Sequence, residues 1–339
     1  MSRKADSAPE IRRIAVIGGG AWGSALALTA ARAGRDTVLW ARDAETVAAA
    51  ASGRGNPAYL PGIAFDAKVA ATTDLAFALA GADAALLATP AQTTRAMGAA
   101  IAPLARPGLP VVLCAKGIER ETGLLPAQVL AEVAPACRAA ILSGPSFAAD
   151  VARGLPTAVT LAAEDGELAD ALALALASRQ FRPYASTDPL GAQIGGALKN
   201  VLAIACGAVA GKGWGASALA ALTARGFAEL SRLGLTLGAR PETLTGLSGL
   251  GDLVLTCSSA QSRNFAFGMA LGEGCTVAEL AATGKLAEGV HSAAVAVDLA
   301  ARHGVEMPIA AAVADVLAGR LGVDEALERL MTRPLRRET

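Results

Sequence analysis

A chain of 339 residues has the length for two domains with full hydrophobic cores. It is 53% hydrophobic but only 4% aromatic, which favours close helix contacts through small side chains over aromatic-filled cavities. Thirty basic residues balance thirty acidic ones, which argues against nucleic acid as a partner and makes any anion site local.

The five cysteines, Cys114, Cys137, Cys206, Cys257 and Cys275, are odd in number and lack metal-ligand spacing. Reduced thiols in a cytoplasmic protein without a metal site are expected. Two histidines, His291 and His303, are too few for a three-histidine zinc site. Acid–base chemistry would fall to Lys, Asp or Glu.

The opening "MSRKADSAPEIRR" is polar and has no apolar core, so no signal peptide is expected, and residues 1–12 are expected to be disordered. Ile14–Ile17 is a short apolar run suited to a buried strand. Gly18, Gly20 and Gly23 follow as G-x-G-x-x-G, then a helical stretch runs to Ala33 with Gly34 behind it. In that setting the first glycine permits the tight turn. The second lets backbone approach a pyrophosphate, and the third packs helix on strand. The helix start offers free N–H groups to phosphate. The pattern marks a dinucleotide site at the head of a βαβ unit.

Thr37–Trp40 reads as the second strand and ends at Arg42-Asp43. An acid there suits a free ribose 2′-hydroxyl, and an arginine suits a 2′-phosphate. Both NAD and NADP stay open, with Arg42 tilting the balance toward NADP. The stretches "ADAALLATPAQTTRAM", "PVVLCAKGIERETG", "RAAILSGPSFAADV" and "PTAVTLAA" continue the strand–helix alternation of a parallel, doubly wound sheet. Ligands bind beyond the carboxyl ends of such strands, which draws attention to Thr89-Pro90, Lys116-Gly117 and Gly144-Pro145-Ser146.

From Asp188-Pro189 the pattern turns helical, with Asp188 as N-cap and Pro189 at the first helical position. The helix should run to about Gly211, and the domain cut is placed at 188/189. Its apolar run Val201–Gly211 is too short to span a bilayer. Lys199 and Asn200 sit near its middle, one turn after Gly195 and Gly196. Helical side chains lean toward the preceding turn, so the two glycines would leave an open trough beneath the ammonium for a substrate or nicotinamide. Asp252, in "TGLSGLGDLVLTC", could orient Lys199 or a substrate hydroxyl, or simply cap a helix. Ser262, Arg263 and Asn264 mark a helix start suited to a small anion. Glu288 could contact the cofactor. "MTRPLRRET" reads as a mobile basic tail.

Together "GGGAWGSALA", "NPAYLPG", "CAKGIE", "SGPSFA", "GGALKNVLAI", "GLGDLVLTC", "QSRN", "AEGV" and "GVEMPI" resemble the bacterial NAD(P)-dependent glycerol-3-phosphate dehydrogenase family from about Ile14 to the mid-320s. The resemblance implies an α/β Rossmann domain, residues 1–188, followed by an all-α C-terminal domain, residues 189–339, with the active site between them. It places the proton-transfer role on Lys199, with Asp252 and Lys116 as catalytic partners. It places substrate binding on Lys116, Gly144, Ser146, Lys199, Asp252, Ser262, Arg263 and Asn264. Cofactor contacts fall on Gly18, Gly20, Ala21, Trp22, Gly23, Arg42, Lys116, Ala148, Arg263, Leu286 and Glu288. Ala21 stands where serine is common, and Leu286 where a β-branched residue is frequent.

The implied reaction is reversible hydride transfer between sn-glycerol 3-phosphate and NAD(P), feeding phospholipid synthesis in the cytoplasm. The partner is a small-molecule substrate, without stable membrane insertion, and family habit allows a homodimer. Two alternatives remain: a ketopantoate-type reductase with less need of "QSRN", and a nucleotide-binding redox sensor that turns nothing over.

Overall fold

A computed structural model describes residues 10–65, 69–282 and 287–334. Strands and helices alternate from the start: β1 (Arg13–Ile17), α1 (Ala21–Arg32), β2 (Asp36–Trp40), α2 (Ala44–Ala51), β3 (Val69–Thr72), α3 (Leu75–Leu79), β4 (Ala84–Leu87), α4 (Thr94–Ile101) and β5 (Pro110–Leu113). Then follow α5 (Pro126–Val133), β6 (Arg138–Ser143), α6 (Ala148–Ala152), β7 (Thr157–Ala162), α7 (Gly166–Leu176) and β8 (Phe181–Ser186). The strands form one sheet in the order β3-β2-β1-β4-β5-β6-β7-β8. The first six strands are the doubly wound order of a dinucleotide-binding sheet, with its switch point between β1 and β4.

The central strands are uninterrupted apolar runs because both faces are covered. On one face Val16, Leu39, Leu86, Val112 and Leu142 pack with residues of α1 and α7. On the other, Ala15, Ile17, Val38, Leu87 and Leu113 pack with residues of α3, α4 and α5.

The structure corrects two readings of the sequence and adds two strands. "PTAVTLAA", expected to continue a parallel sheet, is β7, and it runs antiparallel to β6. The link between them holds only the five-residue α6, too little for a full crossover helix. Strand β8 then pairs parallel with β7 after α7. β3 and β8 gave no sequence signal: β3 has four residues, and β8 is a largely exposed edge strand containing Pro183. Residues 10–12, expected to be disordered, join the fold: Ile11 is buried, and the Arg12 and Arg13 N–H groups donate to Asp83.

Among the described residues every element after β8 is helical: α8 (Pro189–Gly211), α9 (Gly215–Thr236), α10 (Pro241–Thr245), a wide helical turn at Leu247–Gly251, α11 (Asp252–Cys257), α12 (Arg263–Gly272), α13 (Val277–Ala282), α14 (Glu288–Arg302), α15 (Pro308–Leu317) and α16 (Val323–Met331). Asp188 caps α8 through the Gly191 N–H at 2.8 Å, as its position before Pro189 requires. By length and composition α8 could cross a membrane, but 78% of its most apolar window is buried in protein. It is the axis of the helical half.

The low aromatic content finds its use here. Gly207 and Gly211 of α8 face α12, while Gly268 and Gly272 of α12 face α8. A Cβ at any of the four would lie 2.0–2.4 Å from a carbonyl oxygen of the other helix. These backbones touch directly, and no side chain larger than hydrogen fits.

The chain divides into two compact units, the first holding residues up to Lys116 and Leu124–Gln193. The second holds Gly117–Gly123 and everything from Ile194. The sequence cut at 188/189 marks the start of α8, whereas the boundary between the units falls about a turn inside that helix. Met331, read as belonging to a mobile tail, ends α16, and Arg333 pairs with Glu306 at 3.1 Å. Residues 335–339 lie outside the described residues.

Candidate active site

In the first unit the glycine loop joins β1 to α1. Gly18 has φ +131°, and a Cβ there would lie 3.0 Å from the Ala88 carbonyl. A Cβ at Gly23 would lie 1.8 Å from the Gly18 carbonyl oxygen, so the loop closes on the helix only with glycine. Gly20 faces open space, with nothing within 4 Å of its would-be Cβ. As N-cap of α1 it offers no side-chain acceptor, and the first turn carries no acid. The exposed N–H groups and the positive end of the helix are thus left for an external anion. The fit to a pyrophosphate is direct.

Around this loop Ala21, Trp22 and Ala148 are half-buried on the same hydrophobic cluster as Ala88. The Trp22 indole N–H and the Thr89 hydroxyl, the latter just beyond β4, are buried without hydrogen-bond partners. Both are polar atoms a bound nucleotide could satisfy. The loop has a brace that sequence reasoning quoted without assigning it a role. Asn56, fully buried, donates to the Gly19 carbonyl and the Ser24 hydroxyl at 2.8 Å each. Its motif "NPAYLPG" was the signal.

At the ribose end, Asp43 is the N-cap of α2. Its Oδ2 accepts from the Thr46 hydroxyl and N–H, both at 2.7 Å, which holds its carboxyl below the usual range. Arg42 beside it is exposed. At the carboxyl ends of β5 and β6 the structure brings together Lys116, Gly144 and Ser146. Lys116 Nζ and Ser146 Oγ both donate to the Gly144 carbonyl at 3.0 Å.

In the second unit Lys199 is 6% exposed. Its Nζ lies 2.6 Å from Asp252 Oδ1 and donates to Thr256 Oγ1 at 2.8 Å. A buried ammonium is tolerable only with such a partner. Asp252 begins α11, and Thr256 sits one helical turn later on the same face. Thr256 was missed, although its i+4 spacing from Asp252 was a usable signal.

The trough read beneath Lys199 is filled on its Gly195 side. A Cβ on Gly195 would lie 2.3 Å from the Ser248 carbonyl oxygen and 2.9 Å from Gly249 Cα. The wide turn that leads to Asp252 packs there, backbone on backbone. Gly195 serves the carboxylate, not a ligand.

Ser262 caps α12 by accepting the Phe265 N–H at 3.2 Å, and Arg263, the first residue of that helix, is exposed. Asn264 is buried in a relay: its amide donates to Asn200 Oδ1, and its carbonyl oxygen accepts the Gly289 N–H, both at 2.9 Å. The relay ties α8, α12 and α14 together and fixes Glu288, which is half-buried at the start of α14. One amide hydrogen of Asn264 remains for another acceptor. Leu286 lies outside the described residues.

Family profiles match both halves. The profile for the N-terminus of NAD-dependent glycerol-3-phosphate dehydrogenase covers residues 13–169, and that for its C-terminus covers residues 188–328. Glycerol-3-phosphate dehydrogenase (NAD(P)+) of Parvibaculum lavamentivorans is 59% identical over 97% of this chain and 98% of its own length. The protein of that name from a Bradyrhizobium species is 62% identical over 96% and 98%. A crystal structure of glycerol-3-phosphate dehydrogenase from Coxiella burnetii superposes with a TM-score of 0.90 at 37% identity, covering 96% of this chain and all of that one. A ketopantoate reductase from Ralstonia eutropha shares the fold alone, with a TM-score of 0.57 at 19% identity. The glycine loop and the buried Lys199–Asp252 pair thus stand within sequences related along almost their whole length: the chain belongs to the NAD-dependent glycerol-3-phosphate dehydrogenase family.

Proposed function

We infer that the chain interconverts dihydroxyacetone phosphate and sn-glycerol 3-phosphate with NAD(P) as hydride carrier. The observation that carries this reading is the buried Lys199–Asp252–Thr256 cluster, a charged proton donor held by two polar partners of α11 and standing in a helix with no other charged side chain. A bound NAD(P)H supplies the hydride for C2 of the ketone. Lys199 Nζ donates a proton to the oxygen on C2 as negative charge grows there, and takes it back in the oxidative direction. Asp252 keeps the ammonium aimed and balances its charge, while Thr256 fixes a second hydrogen of Nζ.

Arg263 and the free N–H groups at the start of α12 suit the substrate phosphate, since a guanidinium and a helix N-terminus both favour it. Lys116, Gly144 and Ser146 are assigned to the substrate as well, with Asn264 and Ser262 holding the α12 start in shape. Trp22, the glycine loop, Ala148 and Glu288 are assigned to the nucleotide. Asp43 Oδ2 is taken up by its cap while Oδ1 stays open to a ribose hydroxyl, and the exposed Arg42 beside it suits a 2′-phosphate, so either carrier fits, with a slight lean to NADP. The same reading has the product supply phospholipid synthesis in the cytoplasm.

Absorbance at 340 nm, followed with dihydroxyacetone phosphate and NADPH or NADH, tests this. Wild type turns over, Lys199→Ala loses roughly 10²–10⁴-fold while still binding nucleotide, and Arg42→Ala raises KM for NADPH but not for NADH. Tight nucleotide binding without turnover would replace the assignment by the sensor. Turnover of ketopantoate alone would replace it by the reductase.

A further inference from the structure

Helices α8 and α11 meet at a second place besides Lys199. Two turns further along α8, on the same face, stands Cys206. Cys257, the last residue of α11, follows Thr256 directly. Both cysteines are 1% exposed, and the Cys257 S–H donates to Cys206. Cys206 Sγ also lies 3.5 Å from Thr223 Oγ1 of α9. The bond from Cys257 lowers the Cys206 thiol, while the same bond and burial raise that of Cys257. One sulfur of the pair is thus readied as a nucleophile and the other keeps its proton. Cys257 also lies close enough to feel the charges of Lys199 and Asp252. A concavity of about 480 Å³ leads to the pair: Cys257 and Thr223 line it together with the exposed Ala220, Ala224, Val254 and Ser258. Hydride transfer has no use for two adjacent thiols.

We propose that Cys206 and Cys257 form a modification site, closed to a disulfide by hydrogen peroxide, and that closure slows proton transfer at Lys199. The Cys206 sulfur attacks one peroxide oxygen and the O–O bond breaks. The departing hydroxide leaves as water with the Cys206 proton, and Cys206 becomes a sulfenic acid. The Cys257 sulfur then attacks that of Cys206. The S–O bond breaks, and the hydroxyl leaves with the Cys257 proton as a second water. Two electrons pass from the thiols to the peroxide. The new bond draws the sulfurs to about 2.05 Å, well inside hydrogen-bond contact, so the end of α11 must be pulled toward α8. Thr256 and Asp252 belong to that short helix and hold Lys199 Nζ. A displacement of about 1 Å at such a group costs on the order of 10²-fold in rate. The unit that carries the glycine loop holds neither cysteine, so nucleotide affinity is spared. A thiol reductant reverses the step, which suits a reducing compartment where disulfides are transient. The effect on turnover rests on Lys199 being the proton donor.

The reduced full chain, treated with hydrogen peroxide, blocked with a maleimide and mapped by mass spectrometry without reduction, tests the pair. A peptide pair joined through Cys206 and Cys257 is expected. In the same samples kcat with dihydroxyacetone phosphate should fall on the order of 10²-fold, nucleotide affinity should hold, and dithiothreitol should restore turnover. Cys206→Ser should start within twofold of wild-type kcat and keep it under peroxide. Should that variant misfold, Cys257→Ser supplies the same reading of peroxide resistance. The double variant Cys137→Ser/Cys275→Ser, which removes the two cysteines that are not buried, should respond as wild type does. Absence of the Cys206–Cys257 link would overturn the proposal, as would a link that leaves kcat unchanged or a loss that persists in Cys206→Ser. Reduced wild type without turnover would count instead against the dehydrogenase reading, and the mapped link would still decide the pair.

Discussion

Replacing Gly195 by alanine isolates what positions the proton donor. The new Cβ would stand 2.3 Å from the Ser248 carbonyl oxygen, where ordinary contact begins at 3.4 Å. The turn Leu247–Gly251 must therefore retreat by about 1 Å, the gap between contact and overlap. Asp252 follows that turn directly. A retreat of that size stretches the 2.6 Å Lys199–Asp252 contact beyond hydrogen-bond range. Overpacking costs about 1–3 kcal/mol, and the better helix propensity of alanine returns about 1 kcal/mol. The net loss should lower Tm by a few degrees at most. The kinetic effect should be larger, because about 1 Å of misplacement at a catalytic group costs on the order of 10²-fold. Steady-state kcat with dihydroxyacetone phosphate, beside nucleotide affinity and Tm, separates the two effects. A variant with Tm equal to or above wild type and kcat within twofold would show that the turn does not rest on Gly195. The account of how Asp252 is delivered would then fail.

Two further outcomes follow from buried polar groups. Glu229 accepts the Ile309 and Ala310 N–H groups at the start of α15, and burial pushes its carboxyl from 4.5 up to about 7 despite those bonds. Because the folded chain holds this proton more tightly, the contribution of Glu229 to stability is greatest below pH 4.5, falls as pH rises, and is fully lost above 7. The gap is worth up to about 3 kcal/mol. Urea unfolding between pH 5 and 8 should show that slope in wild type and a flatter one in Glu229→Gln, and equal slopes would refute it. Asn56→Ala strands the buried Ser24 hydroxyl and removes the donor to the half-buried Gly19 carbonyl. The expected cost is about 1–3 kcal/mol, with weaker NADPH binding measured by tryptophan fluorescence. Unchanged affinity would show that the glycine loop holds its shape without the brace.

Much of this protein was legible along the chain because its signals are local. The glycines of the first turn, the capping pair Asp188-Pro189 and the apolar runs of β1, β2, β4, β5 and β6 each act within a few residues, and sequence order preserves them. Lys199 was conspicuous because an ammonium in an apolar helix needs a reason, and Asp252 because it follows a glycine-rich turn. What lay out of reach depends on residues far apart. Gly195 meets Ser248 and Gly249. Asn200, Asn264 and Gly289 meet across three helices, and Gly117–Gly123 leaves its neighbours to join the helical unit. The reversal of β7 turned on the length of a link, and the filled trough on a backbone contact. Composition and spacing determined which elements form and which side chains carry charge. Close packing alone decided which glycine makes room for a ligand and which for another stretch of backbone, since a missing Cβ looks the same in sequence whatever fills its place.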